Sequence, residues 1–353
     1  MSVISDTEIH ASYPSLPPGS YPIAIDSGSV AYNASLKAIT PPAFAAALLP
    51  YPVPTPFGIR GVTYDPERSA LYVTIDQGGG SLLALRYAFA GSTWGSPTQL
   101  ALNGLQQVSV SPDGTKLLVA IETTNPMTLS LVELDPVTLA QTGSTAFPDN
   151  ILQPVVTPGA QFAYSNDGNA IVFAAGMTTL WVYGTASRRF TPLGDGTCGP
   201  VGSGDGSAVM LCGDAEYVAS TGTIRHPPQG GVGGAQISAD LTGSKFAATY
   251  GVWGPDGQML GLPLSTVGVI INLAGTRLYG MQDYSLDPQP RLHTFDLTAA
   301  PVSGFYPELG TPLMLAGDTG VGSSAYPALA ITPDGATVFV AGANGVAVQP
   351  VPP

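Results

Sequence analysis

A short pattern returns along this chain: an apolar run, a tight turn built on Asp-Gly or a close equivalent, and a second run rich in β-branched residues. VSPDGTKLLVAI (110–121), YSNDGNAIVFAAG (164–176) and ITPDGATVFVAG (331–342) are near copies of one another. Five looser copies begin at Ile23, Gly61, Val201, Ile237 and Ile271. The turn positions are then Asp26, Asp65, Asp113, Asp167, Asp205, Asp240, Ala274 and Asp334, separated on average by about 44 residues. Asp-Gly and Asn-Gly accept the positive φ that a tight hairpin demands, so each copy reads as two antiparallel strands. Runs such as KLLVAI and TVFVAG are apolar on both faces, as a strand covered from two sides must be. A period of this length made of short strands is the pattern of a β-propeller.

Third strands follow in SLLALRYAF, LSLVELDP, TLWVYGT, EYVASTG, LHTFDLT and GVAVQPV, and fourth strands are weaker. Helical periodicity is confined to FAAALL (44–49). The expectation is an all-β chain, a single β-propeller domain over 1–353 with four-stranded blades. The repeat count gives eight blades, with seven as the alternative because the first copy is the least regular. The last copy ends one strand short at GVAVQPVPP, while the amino-terminal segment 1–20 contains an extended run with no blade of its own. Val3 to Tyr13 is therefore expected to pair with the last blade, begun at Ala328, and close the ring.

VPTPFGIRGVTYDPERSALYVTIDQGGGSLLALRY (53–87) resembles the repeat of the bacterial YVTN and lactonase-like propeller families, and LPPGSYPIAID (16–26) is similar to the start of the same repeat. The resemblance implies the propeller fold. Relatives on this scaffold include lactonases, streptogramin lyases, surface-layer components and binding modules, so it implies no single activity. No catalytic motif of these families transfers to a residue here.

Only 10% of the residues are charged, against roughly 25% in an average domain, and the net charge is −13 with just 11 Lys and Arg. Phosphate neutralisation needs a basic patch, so nucleic acid is excluded as a partner and anionic membrane surfaces are disfavoured. No apolar stretch approaches the ~20 residues of a membrane-spanning helix, which argues against membrane insertion. The amino terminus, MSVISDTEIH, lacks a basic segment followed by an apolar one, so no signal peptide is expected within the chain. Cys198 and Cys212 lie symmetrically about the Asp205-Gly206 turn. A cross-strand disulfide between them is expected, and with it an oxidising, extracellular, cell-surface or periplasmic location.

Residues that carry chemistry are sparse. His10, His226 and His293 are far apart, and the nucleophile-elbow, zinc-protease and phosphate-loop patterns are all missing. No cofactor or metal is expected. Calcium is the weak exception, on Asp283 and Asp287 in MQDYSLDPQP (281–290), where the ligand count of an oxygen cage is not reached. The Asn33-Ala34-Ser35 sequon reads as incidental. The longest loops suggest a ligand-binding rim of Trp253, Asp283, Tyr284, Phe305 and Tyr306, since aromatic side chains give contact area at low entropic cost. The expected function is non-enzymatic binding of a protein or glycan partner, or a surface-structural role. A lactonase-like or lyase-type enzyme and a self-assembling filament or surface-layer subunit are the alternatives.

Overall fold

In the computed structural model the chain divides into two compact units, Met1–Pro42 and Ala43–Pro353. Described residues are 41–353 apart from 53–57, 78–80, 104, 112–113, 125–126, 149–159, 175–178, 196–199, 212–214, 227–237, 249–250, 264–265, 283–290, 318–327 and 353, together with the strands at 2–5, 8–10, 19–26 and 31–38. In the first unit Ser2–Ser5 pairs with Glu8–His10, and Gly19–Asp26 pairs with Ala31–Ala38, both antiparallel.

Seven antiparallel sheets with four strands in each ladder make up the second unit. Their innermost strands are Gly58–Asp65, Leu105–Val110, Ala160–Tyr164, Val201–Gly202, Ser238–Ala239, Thr266–Ile271 and Ala328–Ile331. Each of these lies against the innermost strands of its two neighbours, and the circuit closes where Ala328–Ile331 meets Gly58–Asp65. The fold is a seven-bladed β-propeller. Seven blades, not eight, follow because the copy beginning at Ile23 forms the isolated hairpin of the first unit.

Closure also differs from expectation. Val3 to Tyr13 does not complete the last blade; the strands there pair with each other. The fourth strand of blade 7 is Ala47–Pro50, antiparallel to Gly345–Pro350 in the register Val346↔Leu49 and Ala347↔Leu48. This segment lies within FAAALLP, which reads as a helical turn by composition but is a strand. A free edge on blade 7 with unmet backbone donors and acceptors outweighs the weak helix preference of Ala and Leu.

No strand ladder runs from one blade into the next among the described residues, so side chains hold the ring together. Each of the seven seams has its own apolar cluster. Second strands face a seam on either side, which explains why Ala70–Asp76 and Thr337–Gly342 are buried at every position.

Turns between first and second strands repeat one construction. Asp65, Ser111, Ser165, Ser203, Asp240, Asn272 and Thr332 occupy the same place in the seven blades, and all are buried. Asn272 Oδ1, for example, accepts from the backbone N–H groups of Thr276 and Arg277 at 2.9 Å each. Ser203 Oγ accepts from Ala208 N at 3.1 Å, and Thr332 Oγ1 from Thr337 N at 3.0 Å. In the middle of the ring these turns also bond to each other: Asn166 N to Gly206 O, Gly204 N to Asp240 O and Leu241 N to Leu273 O, all at 2.8–2.9 Å.

Candidate functional site

Of the five residues expected to form a ligand-binding rim, Trp253, Phe305 and Tyr306 are described, and Trp253 and Tyr306 are buried in different seams. Trp253 is only 6% exposed: it lies on the third strand of blade 5 and packs with Met210, Phe246 and Ala248 in the seam to blade 4. Its ring covers Gly251 so closely that a Cβ there would approach it to 2.9 Å. Tyr306 is also 6% exposed and belongs to the seam between blades 5 and 6, where burial pushes its hydroxyl pKa up. Phe305, at 40%, is exposed. Asp283 and Tyr284 lie outside the described residues, as do Asp287, Cys198 and Cys212.

Topology places the segment that carries Phe305 and Tyr306. Connections alternate between the two faces of a propeller, so first-to-second turns and third-to-fourth connections share one face while second-to-third loops lie on the other. The segment 297–312 joins the third strand of blade 6, Arg291–Asp296, to its fourth, Leu313–Met314. It is therefore not the blade-to-blade crossing that its length suggests.

Histidines offer one pair. His293 Nδ1 is 2.7 Å from Glu308 Oε1, on the third strand of blade 6 and the connection beyond it. His226 is exposed just past the outer strand of blade 4, and His10 ends a strand of the first unit. No group of three metal-ligating side chains gathers among the described residues.

A cavity of about 440 Å³ opens at the seam between blades 7 and 1. One wall is the strand Ala47–Pro50, and the other is a hairpin that follows the third strand of blade 1. In that hairpin Ala90 pairs with Thr93 and Phe89 with Trp94 around the two-residue loop Gly91-Ser92, with Gly91 at φ 69°. This is the geometry a tight β-hairpin requires of its first loop residue. The pairing sets the Phe89 and Trp94 rings edge to face at 5.2 Å. Phe44 stacks on Trp94 at 5.1 Å and meets Phe339 of blade 7 at 5.7 Å, and Phe339 in turn stacks on Tyr64 at 5.1 Å. Aromatic pairs at these distances add about 0.5–1.5 kcal/mol each beyond area burial, so the rings hold the hairpin against blade 7.

All of the side chains lining the cavity are uncharged, and Leu48, Leu49, Tyr87, Phe89 and Trp94 are the large apolar and aromatic ones among them. Tyr87 Oη donates to Pro50 O at 2.8 Å, joining the two walls. Burial raises the pKa of Tyr87, and burial with the nearby Tyr87 raises that of Tyr51, so both remain neutral hydroxyls. Trp94 Nε1 and Tyr51 Oη are buried without a hydrogen-bond partner. Such donors cost roughly 1–3 kcal/mol each.

Sequence reasoning missed this site. AFAGSTWG (88–95) carries the signal, two aromatics flanking a Gly-Ser loop at cross-strand spacing. Nothing local marks Phe44 or Ala47–Pro50 as the opposite wall, because they reach it only through ring closure.

The strongest ion cluster lies elsewhere, in the seam between blades 2 and 3. Glu133 is 1% exposed and accepts from Arg188 at 2.8 and 3.2 Å, from Tyr183 Oη at 3.1 Å and from Lys116 Nζ at 3.4 Å. Burial alone would raise the Glu133 pKa, but the Arg188 hydrogen bonds and the Lys116 charge outweigh it and hold the carboxylate below its ordinary range. With every partner committed to the seam, this cluster clamps two blades.

No family model matches the chain, and no curated protein matches it. Among solved structures it is similar to hydrazine synthase of Kuenenia stuttgartiensis, at TM-score 0.54 and 15% identity, covering 85% of this chain and 98% of that one. It is likewise similar to U3-55K, at TM-score 0.56 and 9% identity, covering 87% and 98%. At such identities the likeness is one of fold, and it agrees with the seven blades.

Proposed function

We propose that this chain is a non-enzymatic binding propeller of the YVTN or lactonase-like repeat type, working in an extracellular or periplasmic setting. Its ligand is an uncharged, aromatic-bearing segment of a protein partner, taken at the cavity between blades 7 and 1. The observation that carries this reading is the 440 Å³ cavity walled by Leu48, Tyr87, Phe89 and Trp94, with no charged side chain in its lining. Ligand pockets have this composition: an apolar, preformed concavity with a few polar groups to fix orientation. Scarcity of charge over the whole chain, at 10%, agrees with a surface that recognises by shape and apolar contact.

Trp94 makes the test direct, because Trp181 and Trp253 are buried in other seams. Uncharged aromatic peptides and a glycan array should be screened against the protein while Trp94 emission is followed. A shift with peptides that is absent in Ala45→Tyr, which fills the exposed mouth, supports the reading. A shift with glycans alone replaces the partner class, and no shift with either removes the site. The enzymatic alternative draws no support from His293 and Glu308, which stand on the third strand of blade 6 and the connection beyond it, not on an innermost strand.

The oxidising location rests on the Cys198–Cys212 disulfide. Thiol labelling of the denatured, unreduced protein should find no free thiol; two would place the chain in a reducing compartment.

A further inference from the structure

The third-to-fourth connection of blade 6 contains a second hairpin, in the sequence PVSGFYP (301–307). Val302 and Phe305 pair across it, each N–H bonded to the other's carbonyl at 2.8 and 3.0 Å. Ser303 and Gly304 have φ 52° and 86°, the type I′ signature. The hairpin is docked, not loose. Leu262 N donates to Gly304 O at 2.9 Å, Tyr306 N donates to Leu262 O at 3.0 Å, and the buried Tyr306 ring lies over Gly261. This docked mount holds out two apolar side chains, Val302 at 71% exposure and Phe305 at 40%, with Leu309 exposed farther along the same connection and Met314 on the strand that follows it.

A preformed apolar projection of this kind is an anchor without a pocket, and the cavity at the blade 7–1 seam is a pocket without an anchor. We infer that each belongs to the other in a second copy of the chain: the Val302–Phe305 hairpin of one molecule seats between Leu48 and Trp94 of another. This rests on the binding reading above and names its partner. Three observations favour it. About 440 Å³ is at the small end of the ~300–1,000 Å³ of ligand pockets, room for an aromatic ring with one aliphatic neighbour. Neither surface carries a charge, so no ionised side chain has to be desolvated in the contact. Anchor and pocket also occupy third-to-fourth connections, of blades 6 and 1, and so open on the same face of the ring. Anchor and pocket being different patches, the contact joins unlike surfaces; it closes as a face-to-face pair if reciprocated and otherwise propagates.

The test uses the full chain, sedimented over a range of concentrations as wild type, Phe305→Ser and Ala45→Tyr. Wild type should gain mass with concentration. Each variant should associate at least tenfold more weakly, the loss expected for one large apolar anchor. An equimolar mixture should recover association, since Phe305→Ser keeps its pocket and Ala45→Tyr its anchor. A wild type that is monomeric throughout, or association that both substitutions leave unchanged, overturns the inference. A cyclised PVSGFYP peptide separates the two readings. If it shifts Trp94 emission in a protein that stays monomeric, the pocket reading stands and the second copy is the wrong occupant; if it does nothing and the protein is monomeric, both fall.

Discussion

Two sets of connections share one face of this propeller and could hardly differ more. The first-to-second turns are alike in all seven blades, each with a buried polar anchor from Asp65 through Thr332. The third-to-fourth connections are unlike: a two-residue hairpin at Gly91-Ser92, the Asp135 turn of blade 2, and a long excursion over 297–312. Position relative to the axis accounts for this. First-to-second turns crowd together near the channel, where those of blades 3 to 6 bond to one another, so each must match its neighbours. Third-to-fourth connections lie farther from the axis and need not match one another. Repetition marks what builds the ring, and departure from repetition marks both the pocket hairpin and the projecting one.

Paired glycines give the sharpest test of that contrast. Gly206 and Gly304 both have left-handed φ, 70° and 86°. A Cβ on Gly206 would lie 2.7 Å from Asn166 N and 3.1 Å from Ser165 C, whereas one on Gly304 meets nothing within 4 Å. Gly206→Ala should therefore lose about 3 kcal/mol, the sum of backbone strain and a clash with neighbouring main chain, read as a lower midpoint in urea. Equal losses at the two sites would refute the idea that inner turns are tied to their neighbours.

Glu133→Gln should follow, at roughly 2–3 kcal/mol, because it leaves Arg188 and Lys116 without their buried partner. Arg188 is half exposed, which keeps the effect toward the low end of such losses. The same group sets a pH dependence. Glu133 and Asp167 both have depressed pKa values; at Asp167 burial is outweighed by hydrogen bonds from Ser165, Tyr217 and Asn169. Folded carboxylates of lowered pKa contribute stability above their ordinary values and lose it as pH falls through the folded ones. The melting temperature should thus hold from neutrality to about pH 5 and decline below about pH 4, less steeply in Glu133→Gln.

Tyr217→Phe removes the 2.5 Å hydrogen bond to Asp167 Oδ2 that ties blade 4 to the turn of blade 3. About 1.5 kcal/mol is expected from a bond to a charged acceptor, since Asp167 retains Ser165 and the Asn169 N–H. Gly304→Ala comes next at about 1 kcal/mol, from conformation alone. Smallest is Phe305→Ser, whose unfolding midpoint should stay within about 0.5 kcal/mol of wild type even as association changes.

Strand content, the hairpin turns and the propeller class were all legible in the amino-acid order, because they depend on contacts a few residues apart. Asp-Gly allows positive φ, a Ser or Asn two positions earlier reaches the turn's own N–H groups, and a strand between two seams must be apolar on both faces. Tertiary structure alone decided that seven repeats enter the ring while the copy at Ile23 does not, that Ala47–Pro50 and not Val3–Tyr13 completes blade 7, and that Trp253 is buried while Trp94 lines a cavity. Each of these turns on which distant segments meet when the circle closes. That choice is set by the summed packing of all seven seams, a quantity no window of the sequence contains.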